Sequence, residues 1–220
     1  MRGCIILANG RPPEKKQIEY FSSHGFPYLI CADGGADTAW DLGLEPNLIA
    51  GDLDSVTPAT LEYFDGKAVI EKIDRQDDTD MEKCIKLAIR DGFTRCVIMG
   101  ATGDRLDHSF NNLGIAFKYN EQITIILLSE SSCMQIITGH TQVKGIPGET
   151  VSLFGLDDKT RFTTIGLAYP LNNESLPFGV RDGTSNSALT GEFEVIVKGG
   201  TGIMMREIEK VIESGSIDSN

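Results

Sequence analysis

Long apolar runs are missing from this 220-residue chain. The longest, residues 4–8 and 123–128, fall far short of the ~20 residues that a membrane-spanning helix needs. The opening MRGCIILANGRPP has too short an apolar run for the core of a signal peptide. Cysteine is scarce and without pattern. Cys4, Cys31, Cys84, Cys96 and Cys133 form no CxxC and sit mostly in apolar runs, so disulfide scaffolds and zinc knuckles are excluded and reduced core thiols are expected. The expected compartment is the cytoplasm. Positive charge is also short, with 20 Lys plus Arg against 32 Asp plus Glu and a net charge of -12. Such a surface repels polyanions and anionic lipid, so neither nucleic acid nor a membrane is expected as a partner. Also missing are GxxxxGK[ST], GxGxxG, HExxH and GxSxG. Their absence removes the P-loop, the dinucleotide fingerprint, the zinc-protease helix and the nucleophile elbow.

What is present is the composition of a folded protein, 40% hydrophobic and 24% charged. Through about residue 129, short β-rich runs alternate with helical patterns, which predicts an α/β unit around a mostly parallel sheet. Strands are expected at residues 4–8, 28–32, 48–50, 68–73, 95–99 and 123–128. One helix should begin near Thr79, burying Met81, Cys84, Ile85 and Ala88 while Glu82, Lys83, Lys86 and Arg90 point away. Another should begin at Asp107 with Phe110, Leu113 and Phe117 on one face. Beyond residues 129–132 the pattern changes to strand-like pieces broken by turns: CMQIIT, KGIPGETVSLFGL, RFTTIGLAY, GEFEVIVKGG and GIMMREI. A small β-sandwich or barrel is expected there.

The chemistry lies in where the aspartates fall. Strands of an open parallel sheet end on one edge, so the loops that follow them share a crevice. Those loops read NG (residues 9–10), DGGAD (33–37), GDLDS (51–55), DRQDDTD (74–80) and GATGDRLDH (100–108). Carboxylates gathered on one rim repel unless a cation lies among them, and oxygen ligands favour Mg²⁺, Mn²⁺ or Ca²⁺. Mg²⁺ is the expected choice where carboxylates bridge to substrate phosphates. Asp52 and Asp54 face the same way if their segment is extended, which makes them a candidate metal pair. Arg105 is the cation placed to meet phosphate oxygens. The competing structural reading is that aspartate favours β-to-α turns, with Asp107 and Thr79 as helix caps and Ser55 capping a helix after Val56. Of the three histidines, His24 reads as a helix-end residue, His140 as a turn residue in TGHTQ, and only His108 falls in the cluster.

Taken in order, ADGGAD, GDLDS, DRQDDTD and TGDRLDH, followed by GLAYPLNNESLPFG and GTSN, resemble the thiamine pyrophosphokinase family over nearly the whole chain. The resemblance implies a nucleotide domain at residues 1–130 that binds ATP and Mg²⁺. It further implies a thiamine-binding β-sandwich at residues 131–220 and a homodimer with active sites shared between subunits. The implied reaction passes the pyrophosphoryl group of ATP to the thiamine hydroxyl, giving thiamine diphosphate and AMP.

On this pattern Asp52, Asp54 and Asp80 match metal positions, and Asp54, Asp80 and Arg105 the catalytic set. Asp33, Gln76, Thr79, Arg105 and Asp107 match nucleotide contacts, and Ser185 and Asn186 the thiamine segment. Two departures stand out. Asp104 adds a negative charge beside Arg105, and the lone Trp40 lies in the first half, leaving Tyr169, Phe178 or Phe193 to offer thiamine an aromatic face. The alternatives are a Mg²⁺-dependent nucleotide or phosphoester hydrolase and a non-catalytic nucleotide or thiamine-diphosphate sensor.

Overall fold

A computed structural model describes residues 1–75, 77–103 and 105–217. The chain divides into two compact units, Met1–Glu130 and Ser131–Asn220.

The first unit alternates strand and helix: β1 (Gly3–Leu7), α1 (Lys15–Ser23), β2 (Tyr28–Ala32), α2 (Gly35–Asp41), β3 (Leu48–Gly51) and α3 (Pro58–Phe64), then β4 (Val69–Lys72), α4 (Asp80–Arg90), β5 (Arg95–Met99), α5 (Leu106–Tyr119) and β6 (Thr124–Leu128). All its strand pairs are parallel, in the order β4-β3-β2-β1-β5-β6. The inner strands are covered on both faces, so β1 is buried at every position, and this is why continuous apolar runs marked them in the sequence. At the edge, β4 is only half covered.

Local chemistry sets the helix starts. Thr57 caps α3 by accepting from the Thr60 amide at 3.3 Å, with Pro58 in the first turn. Thr79 caps α4 in the same way at 3.3 Å, and Asp80 and Glu82 complement the positive end of its dipole. The cap before α3 is therefore Thr57, where the sequence had suggested Ser55.

In α4 the expected face of Met81, Cys84, Ile85 and Ala88 is buried, but two residues expected to point away are buried with it, and α5 buries a different face. Glu82 and Lys83 are 5% and 2% exposed, because α4 packs on β1, β2 and β3 while its flank meets α5. Tyr119 Oη, at 2.6 Å, and Lys118 Nζ, at 2.7 Å, both donate to Glu82 Oε1. In α5 the buried stripe is Asn112, Ile115, Ala116 and Tyr119. Phe110 is exposed, and Leu113 and Phe117 are only half-buried. Asn112 turns inward because its amide donates to the Ala101 carbonyl at 2.7 Å, which pins the loop after β5.

The second unit contains β7 (Ser132–Lys144), β8 (Thr150–Gly155), β9 (Arg161–Ile165), β10 (Glu174–Ser175), β11 (Asn186–Ser187) and β12 (Glu192–Glu207), then α6 (Ile208–Ser214). An α/β unit followed by a β-rich one is the fold order read from the sequence. GEFEVIVKGG and GIMMREI, however, belong to one 16-residue strand. The register of β12 against β7 shifts between Val197 and Gly202, so the glycine pair marks an irregularity within a ladder and not a turn. The first half of β12 pairs with β9 and the second half with β8. His140 likewise lies inside β7 opposite Ile196, with Nε2 2.7 Å from Glu194 Oε2.

Phe162, Phe193, Val195 and Met204 form part of the unit's core. Against that core sits a fully buried ion pair. Arg206 Nε and Nη2 donate to the two Glu149 oxygens at 2.9 and 3.1 Å, and Nη2 also donates to the Lys144 carbonyl at 2.9 Å.

Candidate active site

In the first unit β1 runs on to β2, β3 and β4 on one side, and then α4 carries the chain back to β5 on the other side of β1. The loops leaving β1 and β5 therefore diverge, which opens the crevice where such sheets bind ligands. A cleft of about 650 Å³ lies there, lined by Asn9, Gly10 and Arg11 after β1 and by Gly100–Gly103 after β5. Arg105, His108, Thr79, Asp80, Ser55 and Asp33 complete much of its wall. Close backbone approach demands glycine at two points. A Cβ on Gly10 would collide with the Gly100 carbonyl, and one on Gly35 with the Leu7 carbonyl.

At one end of the cleft, carboxylate oxygens of Asp33, Asp52 and Asp80 lie within 4.8 Å of one another. They come from the ends of β2 and β3 and the first turn of α4. Asp33 is 2% exposed and sits in the left-handed region at φ 46°. Both its oxygens are held from the β3–α3 loop, Oδ2 by the Ser55 amide at 3.1 Å and Oδ1 by the Val56 amide at 3.0 Å. Burial raises its pKa above the ordinary carboxylate value, against the pull of those two amides, and Asp80 and Asp52 push the same way. For Asp52, burial also pushes upward, but the Asp54 amide and Lys83 outweigh it and hold the pKa low. Asp80 Oδ1 accepts from the Asp52 amide at 3.3 Å, which ties those two together. Three convergent carboxylates form a donor set suited to a hard divalent cation.

The triad differs from the pair expected in GDLDS. Leu53 has φ 64°, so the segment is not extended and Asp52 and Asp54 do not align. Asp54 is exposed and outside the triad; its amide reaches Asp52 Oδ1 at 3.4 Å, and its own Oδ1 accepts from Ser55 Oγ at 3.0 Å.

Lys83 is a member that pattern reading missed. Its Nζ donates to Asp80 Oδ1 at 2.9 Å and lies 3.6 Å from Asp52 Oδ2. Burial works against its charge, but the two carboxylates more than compensate and its pKa is raised. The only hint in the sequence is its place three residues after Asp80, where a helix brings side chains together.

The remaining residues divide between the two units. Arg105 forks onto Asp107, at 3.2 Å from Nε and 2.6 Å from Nη2. That contact holds the Asp107 pKa at about 2. Thr79 lines the cleft and caps α4. Gln76 and Asp104 lie outside the described residues. In the second unit Ser185 is exposed at φ 58°. The Asn186 amide group clasps the Tyr169 backbone. Its Oδ1 accepts from the Tyr169 amide at 3.0 Å and its Nδ2 donates to the Tyr169 carbonyl at 2.7 Å. Asn186 thus fixes the segment carrying Tyr169, whose ring is 71% exposed, as Phe178 is at 68%. Phe193 offers no face, because β12 alternation turns it into the core at 2% exposure.

Ion pairs around Asp78 pin the approach to Asp80. Asp78 accepts from Arg75 at 2.8 and 2.6 Å and from Lys86 at 2.7 Å, and Lys86 continues to Glu82 at 3.3 Å. The Arg75 contact, with Lys86 behind it, depresses the Asp78 pKa from 3.8 to about 2. A depressed acid adds stability above its unfolded value and loses it as pH falls toward its folded value, here from 3.8 toward about 2. Denaturant midpoints of Asp78→Asn are therefore expected to fall less steeply than those of the parent below about pH 4. Parallel slopes would show that Asp78 does not contribute this term.

Two family descriptions match the chain: "Thiamin pyrophosphokinase, catalytic domain" over residues 22–127 and "Thiamin pyrophosphokinase, vitamin B1 binding domain" over residues 137–204. Thiamine pyrophosphokinase 3 of Oryza sativa subsp. japonica is 31% identical over 188 residues, covering 71% of this chain and 69% of that protein. Thiamine pyrophosphokinase 1 of Arabidopsis thaliana is 30% identical over 188 residues, with the same shares of 71% and 69%. The fold is shared with the crystal structure of thiamine pyrophosphokinase from Bacillus subtilis, at TM-score 0.81 and 23% identity over 94% of this chain and 99% of that one.

Proposed function

Because the chain belongs to the thiamin pyrophosphokinase family, we propose that it transfers the pyrophosphoryl group of ATP to the hydroxyl of thiamine, giving thiamine diphosphate and AMP. The observation that carries this reading is the Asp33–Asp52–Asp80 triad at the end of a cleft built at the sheet's switch point. An acidic chain needs such a device to accept a triphosphate. The donor set of three carboxylates fits Mg²⁺, which when bound supplies Lewis-acid stabilisation of charge growing on phosphate oxygens.

The chain's own residues then have defined tasks. Asp33, Asp52 and Asp80 would hold the metal. Arg105 lines the cleft and exchanges its fork on Asp107 for phosphate oxygens, since both groups offer a pair of anionic oxygens that a guanidinium meets in bidentate fashion. Arg11 adds a second guanidinium to the same wall, while Thr79, Asp107 and Gln76 complete the proposed nucleotide contacts. Asp54, exposed beside the triad, joins Asp80 and Arg105 in the proposed catalytic set. Alignment of the thiamine hydroxyl with the β-phosphorus, and not a covalent intermediate, supplies most of the acceleration on this reading.

Thiamine is assigned to the segment of Ser185 and Asn186, with Tyr169 or Phe178 as the aromatic face. A homodimer is proposed to complete the site. Its support is Leu106 and Phe110, 80% and 69% exposed at the start of α5, an apolar surface suited to a second copy. Five buried free cysteines support the cytoplasm as its compartment.

The test is purified protein with ATP and Mg²⁺, following AMP by chromatography with and without thiamine. AMP and thiamine diphosphate formed one for one, and only with thiamine, is the expected result. AMP formed without thiamine would favour a hydrolase, and no AMP at all a sensor.

A further inference from the structure

Lys83 is 2% exposed, and a lysine so deeply buried is unfavourable unless a carboxylate meets it. Its ion-pair partners among the described residues are Asp80, at 2.9 Å, and Asp52, at 3.6 Å. Both belong to the triad. The charges balance in a particular way: Asp33, Asp52 and Asp80 carry three negative charges when ionised, Lys83 returns one, and two remain. One divalent ion neutralises that remainder. Without Lys83, three carboxylates within 4.8 Å would repel before any metal arrived and would over-attract cations afterwards.

We infer that Lys83 is a built-in counter-ion of the triad, which holds Asp80 and Asp52 in place without metal and limits how tightly the nucleotide-free site binds a divalent cation. This rests on the reading of the triad as a metal site. Lys83 is a positioning residue here, and loose metal retention has a chemical use: an ion that must leave with each nucleotide product should not be trapped by the empty protein.

A counter-ion and a merely structural lysine differ in the direction of their effect on metal binding. If Lys83 only braced the fold, its loss would weaken metal binding. A counter-ion's loss tightens it, because a positive charge a few ångströms from the incoming cation has gone. The experiment is Mn²⁺ binding to the full chain without nucleotide, read by electron paramagnetic resonance of free Mn²⁺, for the parent, Lys83→Met and Lys83→Gln. The parent should bind Mn²⁺, and both variants should bind it about tenfold more tightly. Lys83→Gln retains a donor for Asp80 without the charge, so it carries the test if Lys83→Met does not fold. Equal or weaker Mn²⁺ affinity in a folded neutral variant overturns the inference while leaving the metal site standing. A parent chain that binds no Mn²⁺ overturns the metal site itself and the inference with it.

Discussion

Asp80→Asn is expected to lower kcat by about 10³-fold or more, roughly 4 kcal/mol of transition-state stabilisation, while the protein stays folded. Asp80 is where several demands meet. One oxygen accepts from Lys83 at 2.9 Å and from the Asp52 amide at 3.3 Å, and the carboxylate is the triad member that also lines the cleft with Asp33. Asparagine has the same size and an amide oxygen able to accept from the Asp52 backbone, so the local geometry survives. What it lacks is the charge that a divalent cation and a buried lysine both require. Stability should change little, since Asp52 still meets Lys83 at 3.6 Å and losing one of three mutually repelling carboxylates offsets the weaker bond to Lys83. Steady-state kinetics and thermal melting of the same preparation check both halves. A kcat within tenfold of the parent would remove Asp80 from the site.

The inner strands of the first unit were legible because they are buried on both faces, so their runs stand out from the flanking polar turns. The cleft was legible one step later, since parallel strands send their loops to a common edge and those loops are rich in aspartate. Which aspartates meet was not legible. The left-handed Leu53 separates Asp54 from Asp52, and nothing about leucine announces a positive φ. Asp33 joins the triad through amides of a loop some twenty residues onward, a contact that pattern cannot see.

The helices show a different limit. In α5 apolar residues occur all round, and a polar residue, Asn112, takes an inward position because the Ala101 carbonyl needs a donor. In α4 the expected outward face carries Glu82 and Lys83, both buried: Glu82 meets Tyr119 of α5, and Lys83 meets Asp80 of its own helix and Asp52 after β3. Pattern alone places charged residues in solvent, following the average behaviour of their type. The exceptions cluster where the site is, as expected when function overrides local preference.

Arg206→Met is expected to destabilise the second unit by about 3–5 kcal/mol, because it leaves the Glu149 carboxylate buried without its cation. The pair is closed to solvent, with side chains 1% and 0% exposed. Glu149 has other work as well: its Oε2 accepts from the Ile146 amide at 3.2 Å, so it holds the turn between β7 and β8. Arg206 reaches the end of β7 through the Lys144 carbonyl. The pair therefore joins β12 to that turn, and removing the arginine alone strands a charge that water cannot reach. Replacing both, as Arg206→Met with Glu149→Leu, should recover most of the loss, since well-packed apolar groups often match a buried ion pair. The comparison separates the value of the pair from the penalty of breaking it. Denaturant unfolding followed by circular dichroism gives all three values. A single variant within about 1 kcal/mol of the parent would mean that water reaches Glu149, and the ion pair would then be as dispensable as one on the surface.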